Sequence, residues 1–231
     1  MTSGERRSTE VEPKDEASEV GSSKPAAATS EASEGGVPAE RAVAWFRRIG
    51  DQDIYQGHIW RVVVSEFEDP GGERFQRDIV RSPGAVAAVP LVFDAEGNPS
   101  VVLLAQYRPA YERELVEIPA GMRDVDGEPP EETARRELAE EVGLMPGRLD
   151  LLIQLVPQPG MSDGTTMVYL ATECSPAPTQ PHGPEEEHAR TLHVPLADAV
   201  TMVERGEITD AKSVAGLLLT ERRLRSGDHG P

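Results

Sequence analysis

The chain has 231 residues, a formal net charge of −18, a hydrophobic fraction of 38%, an aromatic fraction of 4% and one cysteine. That length holds one well-buried domain with an appendage and is short for two full domains. The acidic balance excludes a nucleic-acid binder built on Lys and Arg clusters, so a phosphate-bearing ligand has to be bridged by cations. The lone Cys174 excludes an internal disulfide or a zinc knuckle and reads as a small half-buried hydrophobe.

Residues 1–38 contain no Phe, Trp, Tyr, Leu or Ile and are rich in Ser, Glu, Ala, Gly and Pro. They predict a disordered acidic tail. No stretch approaches the roughly 18 apolar residues of a membrane span, and the N-terminus lacks the apolar stretch of a secretory signal. A cytoplasmic protein with no membrane partner is expected. Residues 39–82 read as a β-rich segment: Ile59–Val64 (IWRVVV) and Phe75–Val80 (FQRDIV) flank the turn Glu68–Glu73 (EDPGGE), which predicts a hairpin.

Residues 83–223 form the main domain. Ala85–Phe93 and Ser100–Gln106 are apolar enough for central strands, with turn residues at Asp94–Asn98 between them. Ile118, Pro119 and Ala120 lead into Gly121, a loop follows, and a helix begins near Pro130 with Glu131 and Glu132 at its positive end. Gly143 is the expected left-handed cap. Strands at Leu149–Val156 and Met167–Ala171 precede a Pro-rich loop, Ser175–Glu187. A last strand, Thr191–Val194, is followed by helices Leu196–Arg205 and Asp210–Arg223, with 224–231 a flexible end.

The informative block runs from Arg136 to Leu144. On a helix, Glu137, Glu140 and Glu141 are spaced i, i+3 and i+4, so three carboxylates share one face and repel one another. Ala134, Leu138 and Val142 form the neighbouring apolar stripe, which docks the helix on a sheet. Something has to compensate the acidic face, and hard cations such as Mg²⁺ or Mn²⁺ take oxygen ligands with water and phosphate completing the shell. A solvated acidic face is the plain alternative.

Gly121, Glu128, Arg136, Glu137, Leu138, Glu140, Glu141, Gly143 and Leu144 together resemble the Nudix box. Six residues separate Gly121 from Glu128 where the usual box has five, so the loop is longer by one and the reach of Glu128 is altered. The resemblance implies an α/β/α sandwich with a mixed sheet, here preceded by the β-hairpin segment. It also implies Mg²⁺ or Mn²⁺ bound by Glu137, Glu141 and Glu140, with the backbone carbonyl of Ala120 as a further ligand and Arg136 orienting the glutamates.

The surroundings resemble the ADP-ribose pyrophosphatase branch of that family. Gln106 to Pro109 and Glu117 to Gly121 look like its strand, substrate arginine and approach to the box. Pro159, Gly160, Met161, Ser162 and Asp163 resemble its Pro-Gly-aromatic-Ser loop, with Met161 replacing the aromatic. Glu185, Glu186, Glu187 and His188 lie where relatives carry a further catalytic glutamate; Glu185 or Glu186 is expected as the base and Glu187 as an added metal ligand. Arg205–Ile208 and Ser213–Leu219 are similar to the branch's C-terminal helices.

Arg77 and Arg108 are candidates for phosphate or adenine, and Gly121, Met122 and Ser162 for substrate contact. In this branch the N-terminal segment commonly swaps across a homodimer, which makes Tyr55 or Trp60 a stacking candidate. His182 and His188 carry no assigned role. The resemblance thus implies metal-dependent hydrolysis of a nucleoside diphosphate sugar such as ADP-ribose. Other nucleotide substrates and a non-cleaving nucleotide sensor stand as alternatives.

Overall fold

A computed structural model of the chain describes residues 45–227. The tail expected over residues 1–38 and the final residues 228–231 lie outside the described residues. The elements in order are β1 (Arg47–Gln56), β2 (Arg61–Glu68), β3 (Arg74–Arg81), β4 (Ala85–Phe93), β5 (Pro99–Arg108), β6 (Arg113–Glu117), β7 (Ala120–Met122), α1 (Pro130–Val142), β8 (Leu144–Met145), β9 (Arg148–Leu155), β10 (Thr166–Thr172), β11 (Ser175–Pro176), α2 (Pro184–Glu187), β12 (Arg190–Pro195), α3 (Leu196–Glu204) and α4 (Ala211–Ser226). Among the described residues, no helix is long and apolar enough to cross a membrane.

The N-terminal segment is a three-stranded antiparallel sheet, β1-β2-β3, where the sequence predicts a hairpin. The β2–β3 turn forms as the residues dictate: the Asp69 carboxylate accepts the Gly71 and Glu73 N–H groups, and Gly72 takes a positive φ of 85°. The strand added to it, β1 (RRIGDQDIYQ), carries few apolar residues and breaks register at Arg48/Gly50 and Asp53/Tyr55. Those irregularities erase the period-2 signal by which a strand is recognised.

The main sheet has the order β12-β5-β4-β10-β9, with β4 parallel to β10 and the other neighbours antiparallel. Alternation along β4 separates two cores. Val86 and Ala88 face Ala134, Leu138 and Val142 of α1. Ala87, Val89 and Leu91 face Leu196, Ala199, Ile208 and Leu217 from the two C-terminal helices and their connection. The result is helix, sheet, helix. α4 packs tightly on the sheet at Gly216, where an added Cβ would lie 2.9 Å from Val89 Cγ2.

β4 and β5 pair only at Leu91–Phe93 with Pro99–Val101 and then diverge. Into that split run β6, paired to β5, and β7, paired to β4 through Ala85–Ala87. The Ala88 N–H donates to Pro119 O, so alternate β4 donors point into the split, and the donor that Pro90 lacks falls where β4 passes from one partner to the other. The split brings the 117–122 segment to the sheet's centre, beneath α1.

Two further differences lie toward the C-terminus. Residues 175–187, read as a loop, contain β11, paired to β8, and α2, which begins at Pro184 with three glutamates in its first turn. The last helix runs through Ser226 and ends on Gly227 at φ 64°.

Candidate active site

α1 starts at Pro130 and stops at Gly143, whose φ of 65° closes the helix through bonds to Ala139 O and Leu138 O. With Ala134, Leu138 and Val142 against the sheet, Glu137 and Glu141 project toward β7. The Glu137 carboxyl rests on Gly121: a Cβ built there would lie 2.0 Å from Glu137 Cδ. Glu141 Oε2 accepts the Ala120 N–H at 2.9 Å. The family resemblance implies a role for the Ala120 carbonyl, whereas the bond formed to the helix glutamates uses its N–H.

Arg136 gathers the remaining acids. It donates to Glu137 at 2.8 Å and Glu140 at 3.0 Å, reaches Glu128 at 3.3 Å, and lies 3.7 Å from Asp124. Glu128 also accepts a 2.8 Å bond from the Thr133 hydroxyl. The extra loop residue is absorbed by a turn in which Gly127 has φ 78° and the Glu128 N–H bonds Val125 O. Burial alone would lower the Arg136 pKa, and the surrounding acids outweigh it and hold the guanidinium above its ordinary value.

The electrostatics separate two glutamates from the rest. Burial pushes Glu137 up to about 7, and the charges of Glu140 and Glu186 add to the rise against Arg136. Burial likewise pushes Glu141 up to about 8, with Glu137 and Glu186 adding and the Ala120 N–H opposing. Glu186, from α2, thus acts on both. Its carboxylate accepts the His182 N–H at 2.6 Å. The connection before α2 is held by the end of α1, since Ala177 N–H donates to Gly143 O and Gln180 N–H to Glu140 O. Glu185 and Glu186 are half-buried, while Glu187 and His188 are exposed.

Among the described residues, no group of three Asp, Glu, His or Cys side chains is gathered in a metal-holding arrangement. Glu137 and Glu140 turn to Arg136, and Glu141 to the Ala120 amide. The donor set nevertheless fits a hard divalent cation. Buried, mutually repelling carboxylates are held close, and the glycine beneath them leaves room for a carboxylate and not for a Cβ.

The other predicted residues fall into separate places. Trp60, Met122 and Ser162 line one pocket of about 360 Å³ with Met161 and Gln158. Arg77 lines a neighbouring pocket of about 450 Å³ with Phe46, Phe67 and Phe75, and Met161 and Ser162 line both. The Arg77 guanidinium stands 4.8 Å from the centroid of the Phe75 ring. Arg108 lines neither of these pockets: it donates to Glu117 through Nε and Nη2 at 2.8 and 2.9 Å, and its charge is also felt by Glu141. Tyr55 stands 64% exposed on β1.

Sequence reading named Glu117 only as part of a motif. It is 4% exposed and also pairs with Lys212, 95 residues away. Burial opposes its charge, but Arg108 and Lys212 prevail and set its pKa at about 2. The Ser213 hydroxyl accepts the Ile118 N–H at 2.8 Å. A glutamate between Val116 and Ile118 was the available signal; its cationic partners have no local one.

A model of the NUDIX domain matches residues 82–217. The chain is 40% identical over 174 residues to an ADP-ribose pyrophosphatase of Mycobacterium tuberculosis, covering 75% of this chain and 82% of that protein. It is 36% identical over 167 residues to an ADP-ribose pyrophosphatase of Bacillus subtilis, covering 72% and 88%. A crystal structure of an ADP compounds hydrolase superposes with a TM-score of 0.69 at 22% identity, over 82% of this chain and 100% of the other. With its box of glutamates on α1, its sandwich and these relatives, the chain belongs to the Nudix hydrolase family.

Proposed function

We propose that the chain hydrolyses the pyrophosphate bond of ADP-ribose, giving AMP and ribose 5-phosphate. The observation that carries this reading is the pair of buried glutamates, Glu137 and Glu141, raised in pKa and faced by Glu186. Such a pair is costly in a bare fold and becomes favourable once a divalent cation joins it. The 40% and 36% identical relatives, both ADP-ribose pyrophosphatases, support the choice of substrate.

Glu137, Glu140 and Glu141, with the Ala120 carbonyl, would hold Mg²⁺ or Mn²⁺. When bound, the cation supplies charge for the phosphoryl oxygens and acidifies a water. Arg136 keeps Glu137 and Glu140 oriented. Glu186, already within electrostatic reach of both metal-site glutamates, takes the proton as the water oxygen joins one phosphorus and the bridging P–O bond breaks. It is preferred over Glu185 for that reach, and exposed Glu187 is the weaker candidate for an added ligand. Trp60, Met122 and Ser162 form one substrate wall and Arg77 the adjoining one. Exposed Trp45, Phe46, Ile54 and Tyr55 on and beside the N-terminal sheet favour a homodimer, in which Tyr55 would reach a partner's nucleotide while Trp60 lines the pocket of its own chain.

The test is incubation with ADP-ribose and Mg²⁺, with and without EDTA, followed by chromatography. Metal-dependent AMP and ribose 5-phosphate are expected, and the loss of both in Glu141→Gln. Intact ADP-ribose with turnover of another nucleoside diphosphate derivative would move the substrate; binding without turnover of any would make the chain a sensor.

A further inference from the structure

We propose that Arg81 is a positioning residue that locks the loop between β9 and β10 onto the N-terminal sheet, and through it sets the wall shared by the two pockets. The loop's own bonds are local turns, from Met161 N–H and Ser162 N–H to Gln158 O, which shape it without placing it. Its last residue is held by β4, where Ala85 N–H donates to Thr165 O at 2.8 Å, and the stretch around Met161–Asp163 is placed by the end of β3 and the residue after it. Val80 N–H donates to Met161 O at 2.8 Å, Asp163 N–H donates to Val80 O at 3.3 Å, and Ser82 N–H donates to the Asp163 carboxylate at 3.0 Å. The side-chain link among these is Arg81 Nη1 to Asp163 Oδ2, 3.0 Å.

Arg81 suits the task because its other side is fixed. Its Nε and Nη2 donate to the two oxygens of Asp51 at 3.1 and 2.9 Å, and Nη2 also meets the Ser65 hydroxyl at 2.9 Å. Ser65 is fully buried and donates to Asp51 at 2.7 Å. Arg81 and Ser65 hold the Asp51 carboxyl far below the usual carboxylate range, so this anchor stays charged. A planar fork gripped in this way by β1 and β2 can present its third nitrogen in one direction, toward Asp163. A lysine ammonium has no such plane and cannot hold both acids in the same geometry.

Met161 and Ser162 line both pockets, so a drift of the loop alters both. The carboxylates of α1 are held by Arg136, Gly121 and Ala120, none of which touches Arg81. Loss of Arg81 is therefore expected to weaken substrate binding and spare the chemical step. The kinetic part rests on the hydrolase reading above; the structural part does not.

The experiment compares Arg81→Gln, Arg81→Lys and Asp163→Asn with Arg74→Gln, whose ion pair goes to Glu66, away from Asp51 and Asp163. Deuterium uptake over residues 157–165 is measured on the unliganded protein, and KM and kcat on whichever nucleoside diphosphate derivative the wild type hydrolyses. In Arg81→Gln and Asp163→Asn, uptake is expected to rise and KM to increase about tenfold with kcat within about threefold. Arg81→Lys should recover only part of this, and Arg74→Gln should show neither change. Unchanged uptake would overturn the tether, and faster uptake with unchanged KM would overturn its role in binding. Asp163 is half-exposed, so its variant keeps the test decisive should Arg81→Gln fail to fold. A wild type inert toward ADP-ribose would remove the proposed substrate and leave the uptake comparison standing.

Discussion

Replacing Gly121 with alanine tests whether the close seat of Glu137 is needed for turnover. The added Cβ would lie 2.0 Å from Glu137 Cδ and 2.1 and 2.4 Å from its oxygens, where non-bonded carbons settle about 3.5–4.0 Å apart. The carboxyl would have to retreat by about 1.5 Å, and its 2.8 Å bond to Arg136 would shift with it. Misplacement of about 1 Å in a positioning group costs about 10² in rate, so a fall of about 100-fold in kcat/KM is expected, or about 2.7 kcal/mol in the barrier. The fold should tolerate the change. Gly121 is in the extended strand β7, and alanine there restricts the unfolded chain, which offsets part of any strain by about 0.4–1 kcal/mol. The assay pairs steady-state AMP release under saturating Mg²⁺ with thermal unfolding followed by circular dichroism. A variant within about threefold of wild type would refute the reasoning, because it would show that Glu137 can leave its seat without consequence.

Glu117→Gln leaves Lys212 and Arg108 short of a buried counter-charge and should cost about 3–5 kcal/mol, read as a fall of about 10 °C in Tm; an unchanged Tm would deny this ion cluster its structural weight. Gly216→Val forces a branched side chain into the contact of α4 with Val89, Val168 and Ile118 and should cost at least about 1–3 kcal/mol by denaturant titration, with KM unmoved. In EDTA, wild-type stability relative to Glu141→Gln should fall as pH rises from about 5 to 8. The sign follows from the raised folded pKa values of about 7 and 8 for Glu137 and Glu141: the folded state holds protons that the unfolded chain has released, and loses that advantage as they leave. Parallel pH profiles of Tm for the two proteins would contradict it.

What the sequence revealed, and what it concealed, divides by the range of the interaction. The α1 glutamates, the Gly143 cap and the Asp94–Asn98 turn are encoded within a few residues, by spacing or by backbone conformation, and each can be read locally. β1 escaped because a polar, twice-broken strand at the start of a small sheet carries little alternation. β6 and β7 escaped because they are five and three residues long and exist only to fill the split between β4 and β5. Glu117 with Lys212, and Arg81 with Asp163, are pairs 95 and 82 residues apart, which nothing but the folded topology brings together. Arg108, read as a candidate for phosphate or adenine, is engaged by Glu117, a partnership that a single sequence does not contain.

The two arginine-centred networks differ in what they do with charge, and that difference is where stability and catalysis part. Around Arg81 and Asp51 the charges are matched closely, Asp51 is driven below its ordinary pKa, and the network supports the fold. Around Arg136 the acids outnumber the cation, and burial first, with neighbouring carboxylates adding, raises the pKa of Glu137 and Glu141. The excess is tolerable because α1 and β7 are fixed by neighbours that do not share it: the apolar stripe of Ala134, Leu138 and Val142, and the pairing of β7 with β4. A scaffold that holds repelling carboxylates in place without their own help keeps them available for a cation and a phosphate. By the same logic, neutralising Glu141 should stabilise the metal-free protein while removing its turnover, an opposition that a purely structural glutamate would not produce.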